Sequence, residues 1–174
     1  MSERPAIAFT IHDELLNEDV AVVDAGLGLA NDAAAPLHDV HPLCCFARAA
    51  SGRVLGGAVG RTWGACCELQ QLWVEPEHRR QGIGARLVRE FERNAEIRGC
   101  RTFYLYTFSF QAPGLYRALG YVSAFELRGF PSGIVKHTMV REVACADFDA
   151  GRSEPWAPRG DGPAAGTDTQ GEST

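Results

Sequence analysis

Between a strand-like run ending at Val74 and a helix-like run that follows it, the chain reads Arg79-Arg80-Gln81-Gly82-Ile83-Gly84. Two glycines two positions apart permit positive φ and close backbone approach where the chain turns into a helix. The first-turn N–H groups of a helix lack intrahelical partners, and with the helix dipole they form a site for an anion. Arg79 and Arg80 add charge at the same point. The junction therefore imposes strand–turn–helix and makes a phosphate or pyrophosphate its natural guest, although a glycine-rich turn of purely structural role stays open on this observation alone. A P-loop is excluded because no Gly-Lys-Ser/Thr ending follows, and the dinucleotide fingerprint fits poorly because the third glycine is missing.

The rest of the chain frames that junction. Residues 6–10 are short and apolar, the pattern of a first strand. From Asp13 onward Leu15, Leu16, Val20, Val23, Leu27 and Leu29 recur at helical spacing, with Gly26 and Gly28 marking an end and residues 31–39 forming a connection. Strands are expected over 43–49, 54–63 and 66–74, joined by turns at 51–53 and 64–65. In the third, strict alternation puts Glu68, Gln70, Leu72 and Val74 on one face and Leu69, Gln71 and Trp73 on the other. Polar residues fall on both faces, so one of them has a partner or a task. A helix follows over 85–99 with Leu87, Val88, Phe91 and Ala95 on one side and Gly99 as its stop. A strand at 101–107, a short helix at 111–120, a strand at 121–127, a loop at 128–133 and a last strand at 134–143 complete an α+β or mixed α/β domain within residues 1–150.

Charge and cysteine usage narrow the function classes. The formal net charge is −5, but residues 153–174 carry Glu154, Asp161, Asp168 and Glu172 against Arg159, leaving the preceding chain nearly neutral. No cationic surplus is available to neutralise phosphates, so a nucleic-acid-binding module is not expected. Residues 151–174 form an acidic tail rich in Pro and Gly, with Trp156 as its one large apolar side chain in 153–174, and are expected to be disordered. Without an apolar leader or a membrane-length apolar run, the expectation is a cytoplasmic protein with no membrane partner. Its six cysteines, Cys44, Cys45, Cys66, Cys67, Cys100 and Cys145, contain no CxxC and are read as reduced thiols; pairing between the two doublets stays open if their strands are neighbours. The histidines His12, His38, His41, His78 and His137 do not share metal-ligand spacing, so no metal is expected.

The stretch CELQQLWVEPEHRRQGIGARLVREFERNAEIRGC resembles the acyl-CoA-binding core of the GNAT superfamily of N-acetyltransferases, whose hallmark is Gln/Arg-x-x-Gly-x-Gly/Ala. Arg79, Gly82 and Gly84 stand at its defining positions. TFSFQAPGLYRALGY (107–121) is similar to the second half of that family, and a Pro-x-Gly follows at 131–133. The likeness covers residues 40–143 well and the first 39 poorly. It implies a central mixed, mostly antiparallel sheet with splayed central strands flanked by helices, and acetyl-CoA as cosubstrate. The pyrophosphate would lie on Arg79, Arg80, Gln81, Gly82, Ile83, Gly84 and Ala85. The pantetheine arm would pair with the main chain of Leu72, Trp73 and Val74. A primary amine of a small molecule or protein would enter from the opposite side and attack directly, without an acyl-enzyme.

Within the resemblance, Tyr116 matches the tyrosine that protonates the departing thiolate, a phenol of ordinary pKa about 10 serving as donor. A core aromatic on the short helix is the structural alternative. Glu68 is the candidate base for the ammonium proton, directly or through water, against the alternative of a carboxylate paired with an arginine. Thr107 and Gln111 would orient the acceptor or brace the loop above the thioester. Asn31 and Gln70, with Asp32 and Trp63, are further acceptor-side candidates, capping being the simpler role for Asn31 and Asp32. Cys66 and Cys67 are expected to line or pack behind the cleft, and a homodimer is a family-level expectation. The competing reading is a non-catalytic acyl-CoA-binding or interaction module. The intact glycine motif and Tyr116 weigh against it, while the uncertain base leaves it open.

Overall fold

The computed structural model describes residues 7–35 and 37–144. The expectations for Ala6, Cys145 and the 151–174 tail lie outside them. Six strands form one sheet in the order β1-β2-β3-β4-β6-β5. They are β1 (His41–Arg48), β2 (Val54–Trp63), β3 (Cys66–Val74), β4 (Thr102–Phe108), β5 (Val122–Leu127) and β6 (Lys136–Glu142). Only β3 and β4 run parallel; the other neighbours are antiparallel. Among the described residues three α-helices accompany them: α1 (Asn17–Ala34), α2 (Ile83–Ile97) and α3 (Pro113–Ala118).

Among the described residues, one face of the sheet is covered and the other is left open. On the covered face Leu43, Ala58, Cys67, Leu69, Phe103, Leu105 and Met139 are buried beneath Leu87, Val88, Phe91 and Ala95 of α2. The 3.6-residue repeat of those apolar positions is what gives α2 a single core-facing stripe. On the same helix Glu92 is buried as well. Its carboxylate accepts from Tyr121 Oη (2.6 Å) and from Arg141 Nη2 (2.8 Å), so the charge is compensated inside the core. Burial still pushes the Glu92 carboxyl above its usual range, these partners pulling the other way. The alternate positions of the strands face outward, where Phe46, Trp63, Trp73, Tyr106 and Phe125 remain about half exposed.

The pairing of β2 with β3 contains the feature that positions the site. Val59 pairs with Gln71 and Gly60 with Leu69, leaving Gln70 as an extra residue in β3. A Cβ on Gly60 would stand 1.9 Å from the Glu68 carbonyl oxygen and 2.9 Å from the Phe91 ring. Only glycine allows that approach. The bulge corrects the strict alternation expected for this strand. Cys67 and Leu69 face α2 before it, and Leu72 and Val74 face α2 after it, so Glu68 and Leu72 lie on opposite faces.

The N-terminal expectations are corrected too. Residues 7–10 form no strand: Ile7 and Phe9 are 77% and 92% exposed and no neighbouring strand pairs with them. α1 begins at Asn17 and passes through Gly26 and Gly28 to Ala34. Neither glycine takes the positive φ of a helix-stopping residue, and the alanines beyond them favour continuation. Asn31 and Asp32 therefore sit in a helix, not a loop, and Asn31 meets the helix end through its carbonyl, which accepts from Ala35 N–H. α1 buries none of its residues. The cysteine doublets occupy β1 and β3, separated by β2, and Cys44, Cys45, Cys66, Cys67 and Cys100 are free thiols.

Candidate active site

β3 and β4 pair over four residues only, from Cys66 with Thr102 to Leu69 with Leu105. The bulge at Gln70 follows immediately, and a bulged strand bends and twists. Beyond it the two strands part. The resulting gap is a cavity of about 830 Å³ whose walls include both edges: Leu69 to Val74 from β3, Tyr106 and Thr107 from β4. Along Gln70–Val74 the main chain on this side has no strand partner, leaving its polar groups for another backbone-like chain.

One end of the gap abuts the N-terminus of α2. Gly82 is the N-cap residue with φ 79°, and Arg80 also has positive φ, 58°. The cap carries no side-chain hydrogen bond, and the first bond of the helix runs from Arg86 N–H to Gly82 O (3.0 Å). The N–H groups of Ile83, Gly84 and Ala85 thus point out of the helix unpaired with it. Gly82, Gly84, Ala85, Arg79 and Arg80 all line the cavity, as the glycine junction implies. Arg79 turns its Nε back onto the Val74 carbonyl (2.8 Å), tying the end of β3 to the loop, while Gln81 donates to Glu77 O. Among the described lining residues the charges are those of Arg79 and Arg80, with no carboxylate.

Across the gap stands α3. Its Pro113 opens the helix where no N–H partner is needed. Tyr116 is 8% exposed, packs edge-on against Tyr121 (5.9 Å between ring centroids) and lines the cavity. Burial pushes its phenol up to about 12, so it holds its proton throughout the neutral range. Gln111 braces the preceding turn: its Oε1 accepts from Phe108 N–H (2.8 Å) and Thr107 Oγ1 (3.2 Å).

An anion-ready helix start, parted strands and a buried tyrosine describe a site for a long ligand with a phosphate end. Comparison with known proteins gives the same direction. Residues 12–121 match the acetyltransferase (GNAT) family. The chain belongs to that family. A blasticidin-S acetyltransferase of Streptomyces morookaense is 35% identical over 112 residues, which are 62% of this chain and 82% of that one. A thialysine N-epsilon-acetyltransferase of Sus scrofa is 33% identical over 86 residues, 48% of this chain and about half, 51%, of its own length. Among solved structures, a putative acetyltransferase of Agrobacterium tumefaciens superposes with a TM-score of 0.68 at 26% identity, covering 79% of this chain and all of that one.

In this GNAT chain the residues singled out from sequence divide into two groups. Leu72, Trp73, Val74, Arg79, Arg80, Gly82, Gly84, Ala85, Gln70, Thr107, Gln111 and Tyr116 share one cavity. Glu68 stands outside its lining. It is 9% exposed, and its Oε2 accepts from Arg61 Nε (2.7 Å) and Gln70 Nε2 (3.2 Å), the arginine-paired arrangement weighed for it above. Gln81, Ile83, Asn31, Asp32 and Trp63 also lie outside the lining, and so do Cys66 and Cys67, the latter packed in the core. No group of three or more His, Cys, Asp or Glu is placed to hold a metal among the described residues, and no helix among them is long and apolar enough to cross a membrane. Sequence reasoning missed Tyr106, Phe110 and Leu115 as lining residues. Tyr104, Tyr106 and Phe108 repeat at period two, a stripe that could have signalled an aromatic face on β4.

Proposed function

We propose that this protein transfers the acetyl group of acetyl-CoA directly to a primary amine. The observation that carries the reading is the continuous gap joining the uncapped α2 N-terminus to Tyr116. The residues fit the cosubstrate: first-turn N–H groups and Arg80 for the pyrophosphate, and unpaired β3 main chain for an amide-bearing arm. Acetyl-CoA supplies an already activated thioester, so the protein contributes orientation and charge stabilisation more than covalent chemistry. β3 aligns the carbonyl with the entering amine. The nitrogen–carbon bond forms as the carbon–sulfur bond breaks, the sulfur leaves with the electron pair, and the nitrogen releases one proton.

Tyr116 acts on the leaving sulfur as a hydrogen-bond donor. Its buried phenol keeps its proton through the neutral range and so stays available as donor to the departing sulfur. Acetyl-CoA-dependent thiol release against a panel of amines tests the reading, beside calorimetric binding of coenzyme A and NAD. Coenzyme A binds and NAD does not, and Tyr116→Phe lowers kcat by about a hundredfold while coenzyme A still binds. Undiminished turnover in Tyr116→Phe removes its role; failure of coenzyme A to bind removes the function.

A further inference from the structure

The gap passes through the sheet, and its two mouths differ. The α2-side mouth carries the anion site and Tyr116. The other opens on the uncovered face, where the lining is Gln70, Gln71, Trp73, Tyr106 and Phe110. This mouth is aromatic: Trp73 is 49%, Tyr106 53% and Phe110 66% exposed. The β4 wall is built rather than incidental. Phe110 stacks on Phe108 at 5.3 Å and 12°, and Lys136 Nζ lies 5.2 Å from the Tyr106 ring centroid and 5.8 Å from that of Phe108. A cation from the protein thus already occupies part of the aromatic surface.

The charges decide which amine belongs here. A linear polyamine entering the gap loses hydration at each ammonium group and needs carboxylates in exchange. The described lining has none; Arg79 and Arg80 are its charges, Lys136 stands beside it, and the neighbouring Glu68 is engaged by Arg61. Flat aromatic faces and primary amides offer something different. Rings stack on aromatic side chains whatever their identity, and an amide presents both a donor and an acceptor to a polar ring edge. Gln70 is fixed by its bond to Glu68, and the Gln71 amide makes no hydrogen bond among the described residues.

Resting on the acetyl-transfer reading, we infer that the acceptor is a primary amine carried on a planar, polar-edged ring, which stacks on Trp73, Tyr106 and Phe110 while Gln70 and Gln71 read its edge. The test uses the full chain with saturating acetyl-CoA and compares 5′-amino-5′-deoxyadenosine and tryptamine with hexylamine and 1,4-diaminobutane. The ring amines show kcat/KM about tenfold or more above either aliphatic amine, chiefly through KM. Phe110→Ala and Tyr106→Leu bring that ratio toward one, Phe110→Tyr retains it, and Phe125→Ala on the outer strand β5 leaves it at the wild-type value. Equilibrium binding of the same amines to the coenzyme A complex, measured in parallel, gives the same order without turnover. A ratio of one or less in both measurements, or a ratio that Phe110→Ala does not move, overturns the inference while acetyl transfer stands. Loss of coenzyme A binding in the wild-type protein overturns the acetyl-transfer reading instead.

Discussion

Glu68 shows how a residue's role follows from its neighbours. A carboxylate on the strand beside the reaction is a natural base by position, yet this one accepts bonds from Arg61 and from Gln70, the bulge residue in the cavity wall. We propose that it acts by orienting Gln70. Glu68→Gln is expected to raise the KM for the amine several-fold with a smaller change in kcat, and to leave the acidic limb of the kcat/KM profile in place. Disappearance of that limb would falsify the positioning role and restore the base. Buried acids make a second prediction. Burial pushes both the Cys67 thiol and the Tyr116 phenol up to about 12. The unfolded chain releases these protons near pH 9 and 10, while the folded protein keeps them. The unfolded state therefore binds fewer protons in that window, and stability falls as pH rises from about 9 to 12. Urea midpoints at pH 8 and pH 11 check this; equal midpoints contradict the burial of both groups.

Among the elements, β3 connects packing to chemistry. Its first half is an ordinary core strand and its second half is one wall of the gap, with the bulge at Gln70 between them. The bulge depends on Gly60, whose missing Cβ leaves room for the Glu68 carbonyl and the Phe91 ring. Gly60→Ala is expected to lower stability by about 1–3 kcal/mol through overpacking, and to weaken coenzyme A binding because the strands can no longer part at the same residue. Chemical denaturation and calorimetry read the two effects separately. Most of this architecture was legible beforehand. β2 and β3 match their expected ranges residue for residue, because apolar runs bounded by Ser-Gly and Gly-Ala turns leave little choice. α2 is legible as well, although it runs Ile83–Ile97 and so starts and stops two residues before the expected 85–99. The bulge was not, because a glycine in a strand does not announce which carbonyl on the neighbouring strand it must admit.

At the scale of the molecule the described residues are asymmetric: a sheet covered by α2 on one face, aromatic and open on the other, with α1 burying none of its residues. An 18-residue helix containing two glycines gains little from its own hydrogen bonds. Its amides are expected to exchange with deuterium orders of magnitude faster than those of β2, β3 and α2, as mass spectrometry would resolve by segment. Protection of α1 equal to that of the sheet would contradict its exposed placement. The same region is where the sequence misled. Glycines at 26 and 28 are stop signals only when the backbone adopts positive φ, and the short apolar run before the helix is a strand only if an edge receives it. Local chemistry by itself determined the glycine junction before α2, the core stripe of α2, the strand succession and the family resemblance, since each depends on residues adjacent in the chain. The tertiary structure alone decided which face each β3 residue presents, that Glu68 is spent on Arg61, and that the gap opens onto an aromatic mouth. Those outcomes depend on register and close approach between strands, which no single segment encodes.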